Sequence, residues 1–182
     1  MWSWTKRCLV AGAMMALATA PALAQKSGGT LRMYFADNPP STSIHEEATT
    51  STVVPSMSLY NNLVLFDQQV PQNSLDTIRP DLAESWKWSE DGRELSFKLV
   101  GNAKWHDGKS FTSADVKCTF DMVSGKSETK LRKNPRTSWY TNLDKITTNG
   151  EREVTFHLKE PQPSFLVLLA SGYSPVYSCH VP

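Results

Sequence analysis

The amino-acid sequence predicts a mixed α/β or α+β domain carried behind an export signal, and three observations predict it. An apolar run of signal length opens the chain, a tryptophan-bearing hairpin pattern centres on Asp91-Gly92, and two helix patterns carry their own start and stop residues. Of 182 residues, 40% are hydrophobic and 20% charged, an ordinary globular balance with enough apolar side chain for about one core.

Lys6 and Arg7 precede an apolar run from Cys8 to Ala18, and Pro21 stands just ahead of Ala22-Leu23-Ala24. That order is a secretory signal, with cleavage expected after Ala24. The run falls well short of the ~20 residues that cross a bilayer. No cysteine follows the small-residue box to carry a lipid. Removing residues 1–24 takes away two positive charges and no acid, so the formal net charge moves from +1 to −1. Near neutrality excludes bulk attraction to nucleic acid or to a membrane surface, which needs a basic face. The one basic stretch, Gly125 to Arg136, reads as a solvated loop or helix flank. Once Cys8 leaves, Cys118 and Cys179 remain. In an oxidising compartment they form either one bridge closing about 60 residues or two buried thiols, and the residues leave both open.

Strands are expected where apolar residues alternate. Leu31, Met33 and Phe35 give a first strand, and "LVLFD" up to Asp67 a short buried one. Across 81–100, Trp86 and Trp88 share a face, Asp91-Gly92 is a hairpin-turn dipeptide, and Leu95, Phe97 and Leu99 share a face on the returning strand, so the segment is a hairpin. Val154, Phe156 and Leu158 alternate in "REVTFHLK" after the turn residues Asn149-Gly150. The Pro-, Ser- and Thr-rich segment Asp37 to Val53 has no helical period and reads as a long loop, with Pro55 opening a short helix. "QQVPQNSLDTIRP" reads as a polar link. Thr112 is an N-cap with Asp115 three residues on, and Phe111 and Val116 stand at the staple positions; Val116, Thr119, Phe120 and Val123 continue at helical spacing. A second, largely buried helix runs from Pro163 to Gly172.

The catalytic-looking pair is His106-Asp107. A catalytic histidine needs a carboxylate and a nucleophile within hydrogen-bond reach, whereas neighbours on an extended chain point apart. Asp107-Gly108 is also a turn dipeptide between a strand-like segment and the capped helix. The pair is therefore expected to be structural. A secreted hydrolase using His106 and Asp107 stays as the rival, together with a stand-alone interaction domain. His45, Glu46, Glu47, His106, His157, Cys179 and His180 all carry metal-ligating groups, but none stands at a recognised ligand spacing. His157 falls on the polar face of its strand. Glycine-rich phosphate loops and serine-nucleophile motifs are absent.

The order of motifs adds what no single one supplies. "GGTLRMYF", "SLYNNLVLFD", "RPDLAESWKWSEDGRELSFKLVGNAKWHDGKSFTSADVKCTFDMV" and "GEREVTFHLKEPQPSFLVLLAS" follow one another. This succession closely resembles the N-terminal part of the periplasmic solute-binding proteins of ABC importers, family 5, the dipeptide and oligopeptide type. The resemblance implies an α/β class: the N-terminal part of a two-lobed periplasmic-binding-protein (type II) fold with an inserted small mixed α+β subdomain. Residues 1–24 are then the signal, 25–60 the start of lobe I, 61–172 the inserted subdomain, and 173–182 a truncated return to lobe I.

What the family does follows in the same terms. Such proteins are not enzymes and need no cofactor or metal; they are monomers that close on a solute by hinge motion and deliver it to an inner-membrane ABC permease. The resemblance therefore implies a periplasmic peptide-binding component. Relatives of similar N-terminal sequence take nickel complexes, haem, opines, glutathione or oligosaccharides instead. By position, Ala48, Thr49 and Thr50 represent the loop that lines the cleft and pairs with an extended ligand. His106-Asp107 falls in the subdomain, away from ligand. Because the family's members are far longer, the chain is expected to be incomplete and not binding-competent by itself.

Overall fold

The computed structural model describes residues 28–30, 32–34 and 37–180. The chain divides into two units, Met1–Tyr34 and Phe35–Pro182. The signal segment and its cleavage point lie outside the described residues. Of the strand expected over Leu31–Phe35, both end residues lie outside them as well. Arg32, Met33 and Tyr34 have no regular structure, and Met33 and Tyr34 are 65% and 90% exposed. Alternation alone does not make a strand; a neighbour must take its backbone groups, and these three have none among the described residues.

The second unit is organised by two antiparallel sheets. β1 (Val64–Phe66) pairs with β2 (Ile78–Pro80). The larger sheet holds β3 (Ala83–Trp88), β4 (Glu94–Leu99), β5 (Leu143–Asn149) and β6 (Glu153–Leu158) in the order β3-β4-β6-β5. β3 and β4 are the expected hairpin, with Trp86 opposite Phe97 and Trp88 opposite Leu95. Gly92 takes φ +67° at its turn, a conformation that costs a residue with a Cβ and costs glycine little. β6 stands where alternation places it. β5 was not foreseen: its buried residues, Leu143 and Ile146, are three apart because a register shift falls between Leu143 and Lys145. A bulge of that kind erases the period of two that marks a strand. β2 escaped for a simpler reason, since only Ile78 of its three residues is buried.

Three α-helices are described. α1 spans Thr50–Ser56, α2 Ser113–Val123 and α3 Ser164–Ala170. α2 begins as expected: Asp115 Oδ2 accepts the Thr112 N–H at 2.9 Å, completing a capping box. Phe111 and Val116 are both buried at its start. α1 corrects two expectations. The stretch Asp37–Val53 is not loop throughout, since a 3-10 turn forms at Ile44–Glu46 and helix starts at Thr50. Pro55 lies inside α1 and does not open it. The cause is tertiary: Ile44, Thr52 and Val53 are buried although the local sequence shows no apolar period.

α2 covers the sheet with Val116, Phe120 and Val123, and α3 adds Phe165 and Leu169. Phe156 is the hub of this core, with ring centroids 5.1 Å from Phe120, 5.6 Å from Phe165 and 5.8 Å from Phe97. The edge-on and tilted ring arrangements add to the burial. After α3 the chain returns beside residues 44–61. Val176 N–H donates to the Asn61 carbonyl at 2.9 Å, and Tyr177 stacks on Tyr60 and lies edge-on to His45. A disulfide joins Cys118 in α2 to Cys179 in this returning segment, tying the two together covalently.

Candidate functional site

Ala48, Thr49 and Thr50 are contiguous, and all three are exposed. Glu47 (φ −121°, ψ 146°) and Thr49 (φ −81°, ψ 144°) are extended, so the chain stretches out between the 3-10 turn and α1. Thr49 caps α1 through its carbonyl, which accepts from Thr52 N–H at 3.2 Å and Val53 N–H at 3.1 Å. The Thr49 hydroxyl is shared with those of Ser51 and Thr52. The Ala48 and Thr50 amides have no hydrogen-bond partner among the described residues. The loop thus offers extended backbone with donors that no described residue takes up.

Beneath the loop the packing is dense and polar. His45 is completely buried; its Nε2 donates to the Pro175 carbonyl at 2.8 Å while its Nδ1 has no partner among the described residues. Burial, abetted by the nearby Arg136 cation, pushes its pKa from 6.5 down to about 4, so the ring is neutral at pH 7. The Ile44 N–H donates to Tyr177 Oη at 2.9 Å. Glu46 accepts from the Arg132 N–H at 2.6 Å and from its guanidinium at 2.7 and 3.0 Å, which holds the carboxyl below its ordinary pKa. Arg136 donates to the carbonyls of Ile44 and Glu47. Here the basic stretch departs from expectation: most of it is solvated, but Arg136 is 1% exposed. Nothing local marks it, because its acceptors lie about ninety residues earlier in the chain.

The structure does not bring His106 and Asp107 together. Both are exposed on a turn closed by Gly108 N–H to the Trp105 carbonyl at 2.9 Å, and the His106 side chain has no hydrogen bond among the described residues. Asp107 pairs with a different histidine, His180, whose Nε2 is 2.8 Å from Oδ2. Its carboxyl is held below the ordinary range, first by the Lys109 amide and then by His180. Ser178 Oγ completes a serine-histidine-aspartate succession, yet it lies 3.0 and 3.3 Å from the two ring nitrogens of His180. It therefore faces the ring without aligning on one lone pair. The amide after it, Cys179 N–H, is already given to Asp115 Oδ1 at 2.9 Å and cannot steady an oxyanion. His157 bonds to Thr147 and Glu94 on the outer sheet face. Among the described residues no three His, Cys, Asp or Glu side chains gather as a metal site.

Two surface hollows lie elsewhere. One, of about 450 Å³, is lined by Thr141, Asn142 and Lys159 to Gln162; another, of about 360 Å³, lies on the outer sheet face around Ser96 and Lys98. Neither includes Ala48–Thr50 or a reactive pair.

The arrangement of sheet, covering helices and returning segment is found in solved solute-binding proteins. A dipeptide-binding protein of Pseudoalteromonas sp. SM9913, in complex with Met-Leu, superposes with a TM-score of 0.68 at 24% identity, over 79% of this chain and 30% of that one. AgaA of A. tumefaciens R10, in complex with agropinic acid, gives 0.65 at 28% identity, over 77% and 26%. Residues 77–178 match the middle region of the bacterial extracellular solute-binding proteins, family 5, and the chain belongs to that family. An ABC transporter peptide-binding protein of Brucella ovis is 36% identical over 111 residues, 60% of this chain and 19% of that protein. The chain thus spans about a fifth of the length of the curated relatives it matches.

Proposed function

We propose that this chain contributes to the solute cleft of a periplasmic substrate-binding protein that captures peptides for an ABC importer. The observation that carries it is the extended backbone at Glu47 and Thr49 beside the exposed residues Ala48–Thr50, whose Ala48 and Thr50 amides have no partner among the described residues, seated on a firmly bonded base. An extended ligand pairs with backbone of that kind as a strand pairs with a sheet edge, and side-chain chemistry of the ligand then matters less than its main chain. Ala48, Thr49 and Thr50 are the ligand-contacting residues in this reading. Family membership and the peptide-binding relatives support it.

The remaining assignments follow from the same proposal. Residues 25–60 and 173–182 belong to the start of lobe I and 61–172 to the inserted subdomain; the hydrogen bond of Ile44 to Tyr177 and the stacking of Tyr177 on Tyr60 support grouping the first two. Residues 1–24 act as a signal cleaved after Ala24. Export to an oxidising compartment fits the Cys118–Cys179 disulfide. The protein acts as a monomer and hands its solute to an inner-membrane permease, with no chemistry performed on it.

The test is titration calorimetry of the full-length protein with Met-Leu, before and after Thr50→Pro. Thr50 is the first residue of α1, where proline is well accommodated, and Thr49 already has the extended conformation that proline requires before it. The substitution therefore removes one free N–H and the side-chain hydroxyl while leaving the helix in place. Loss of one ligand hydrogen bond weakens binding by roughly 5–10-fold. An unchanged dissociation constant removes Thr50 from the site, and binding of agropinic acid in place of Met-Leu turns the ligand class from peptide to opine.

A further inference from the structure

Arg136 is the most buried charge among the described residues, and the reading of Ala48–Thr50 as a ligand wall gives it a task. Its guanidinium donates through Nη1 to the Ile44 carbonyl and through Nη2 to the Glu47 carbonyl, the two ends of the turn that delivers the chain to Ala48. The ring of Tyr173 lies 4.7 Å from its Cζ and that of Trp139 5.7 Å, so adjoining aromatic rings lie against the guanidinium. Its Nε has no partner among the described residues.

A cation in such a place is costly to bury and is retained only while its acceptors stay in position. Turn and guanidinium are therefore coupled: if residues 44–47 lift away, a buried charge is left without the two carbonyls that satisfy it. Planar, forked donors reach two separate carbonyls at once, which a single compact ammonium does less well. His45 and Ile44 are pinned from the other side by Pro175 and Tyr177. We propose that Arg136 is a positioning residue for the Ala48–Thr50 loop, acting through the Ile44–Glu47 turn and touching no ligand itself. A loop held in its binding conformation loses less freedom when a solute arrives, so affinity rises without an added contact.

Hydrogen exchange of Arg136→Lys in the full-length protein tests this. The expected result is exchange about tenfold faster across residues 44–53 with β4 and β6 amides changed by less than about twofold, and Met-Leu affinity about tenfold weaker. Unchanged exchange at 44–53, or an equal rise through the sheet, overturns the assignment, because a merely stabilising arginine loosens the whole domain. If Arg136→Lys does not fold, the unsubstituted protein labelled uniformly with 13C and 15N decides: scalar couplings from the Arg136 Nη atoms to the Ile44 and Glu47 carbonyl carbons are expected, and their absence overturns it. Localised loosening combined with no Met-Leu binding by the unsubstituted protein upholds the role of Arg136 on the turn and overturns the peptide reading instead.

Discussion

Acidification should loosen this protein through His45. The ring is completely buried, donates Nε2 to Pro175, and lies near the Arg136 cation, so protonation in the folded state is opposed first by desolvation and then by charge. Its folded pKa is about 4 against 6.5 unfolded. Above pH 6.5 neither state holds the extra proton and the full stability is present. As pH falls below 6.5 the unfolded chain takes up the proton and the folded one does not, so unfolding is favoured progressively until about pH 4. Each pH unit between the two values is worth about 1.4 kcal/mol, giving a loss of about 3 kcal/mol. The assay is urea unfolding from pH 7.5 to 4.5 on the native protein and on His45→Gln, whose amide still donates to Pro175 and does not titrate. All other titrating groups are common to the two and cancel in the difference. The native protein should lose stability relative to His45→Gln as pH drops. Parallel curves would refute the reasoning, since they mean that the ring is either solvated or already charged.

Two further outcomes follow from the core and the disulfide. Phe156→Ala removes the hub ring that meets Phe97, Phe120 and Phe165 and should cost about 3–5 kcal/mol in urea unfolding; a cost below 1 kcal/mol means that the core closes over the gap. Replacing Cys118 and Cys179 by serine opens a closure of 61 residues and should cost up to about 4 kcal/mol in the chain-entropy account, with an unchanged stability counting against the bond. Peptide mapping after alkylation without reductant should leave both cysteines unlabelled.

The elements that proved legible are those whose signals are local. The β3–β4 hairpin needs only alternation and the Asp91-Gly92 turn, α2 needs only Thr112, Asp115 and the Phe111–Val116 staple, and β6 needs only its own period. Where a bulge broke the alternation, as at Leu143 and Ile146, the strand went unseen. α1 was misplaced because what seats it is the burial of Ile44, Thr52 and Val53 against distant chain, a cause that local periodicity does not record.

By itself the sequence determined the central hairpin, the capped helix, the motif order that resembles the family, and the turn role of His106 and Asp107. Only the tertiary structure decided which histidine Asp107 meets, that Cys118 and Cys179 are joined, and that Arg136 lies under residues 44–47. Those facts rest on pairs separated by 61 to about ninety residues, and the energy that selects such pairs comes from burial and hydrogen bonding that exist only once the chain has closed on itself.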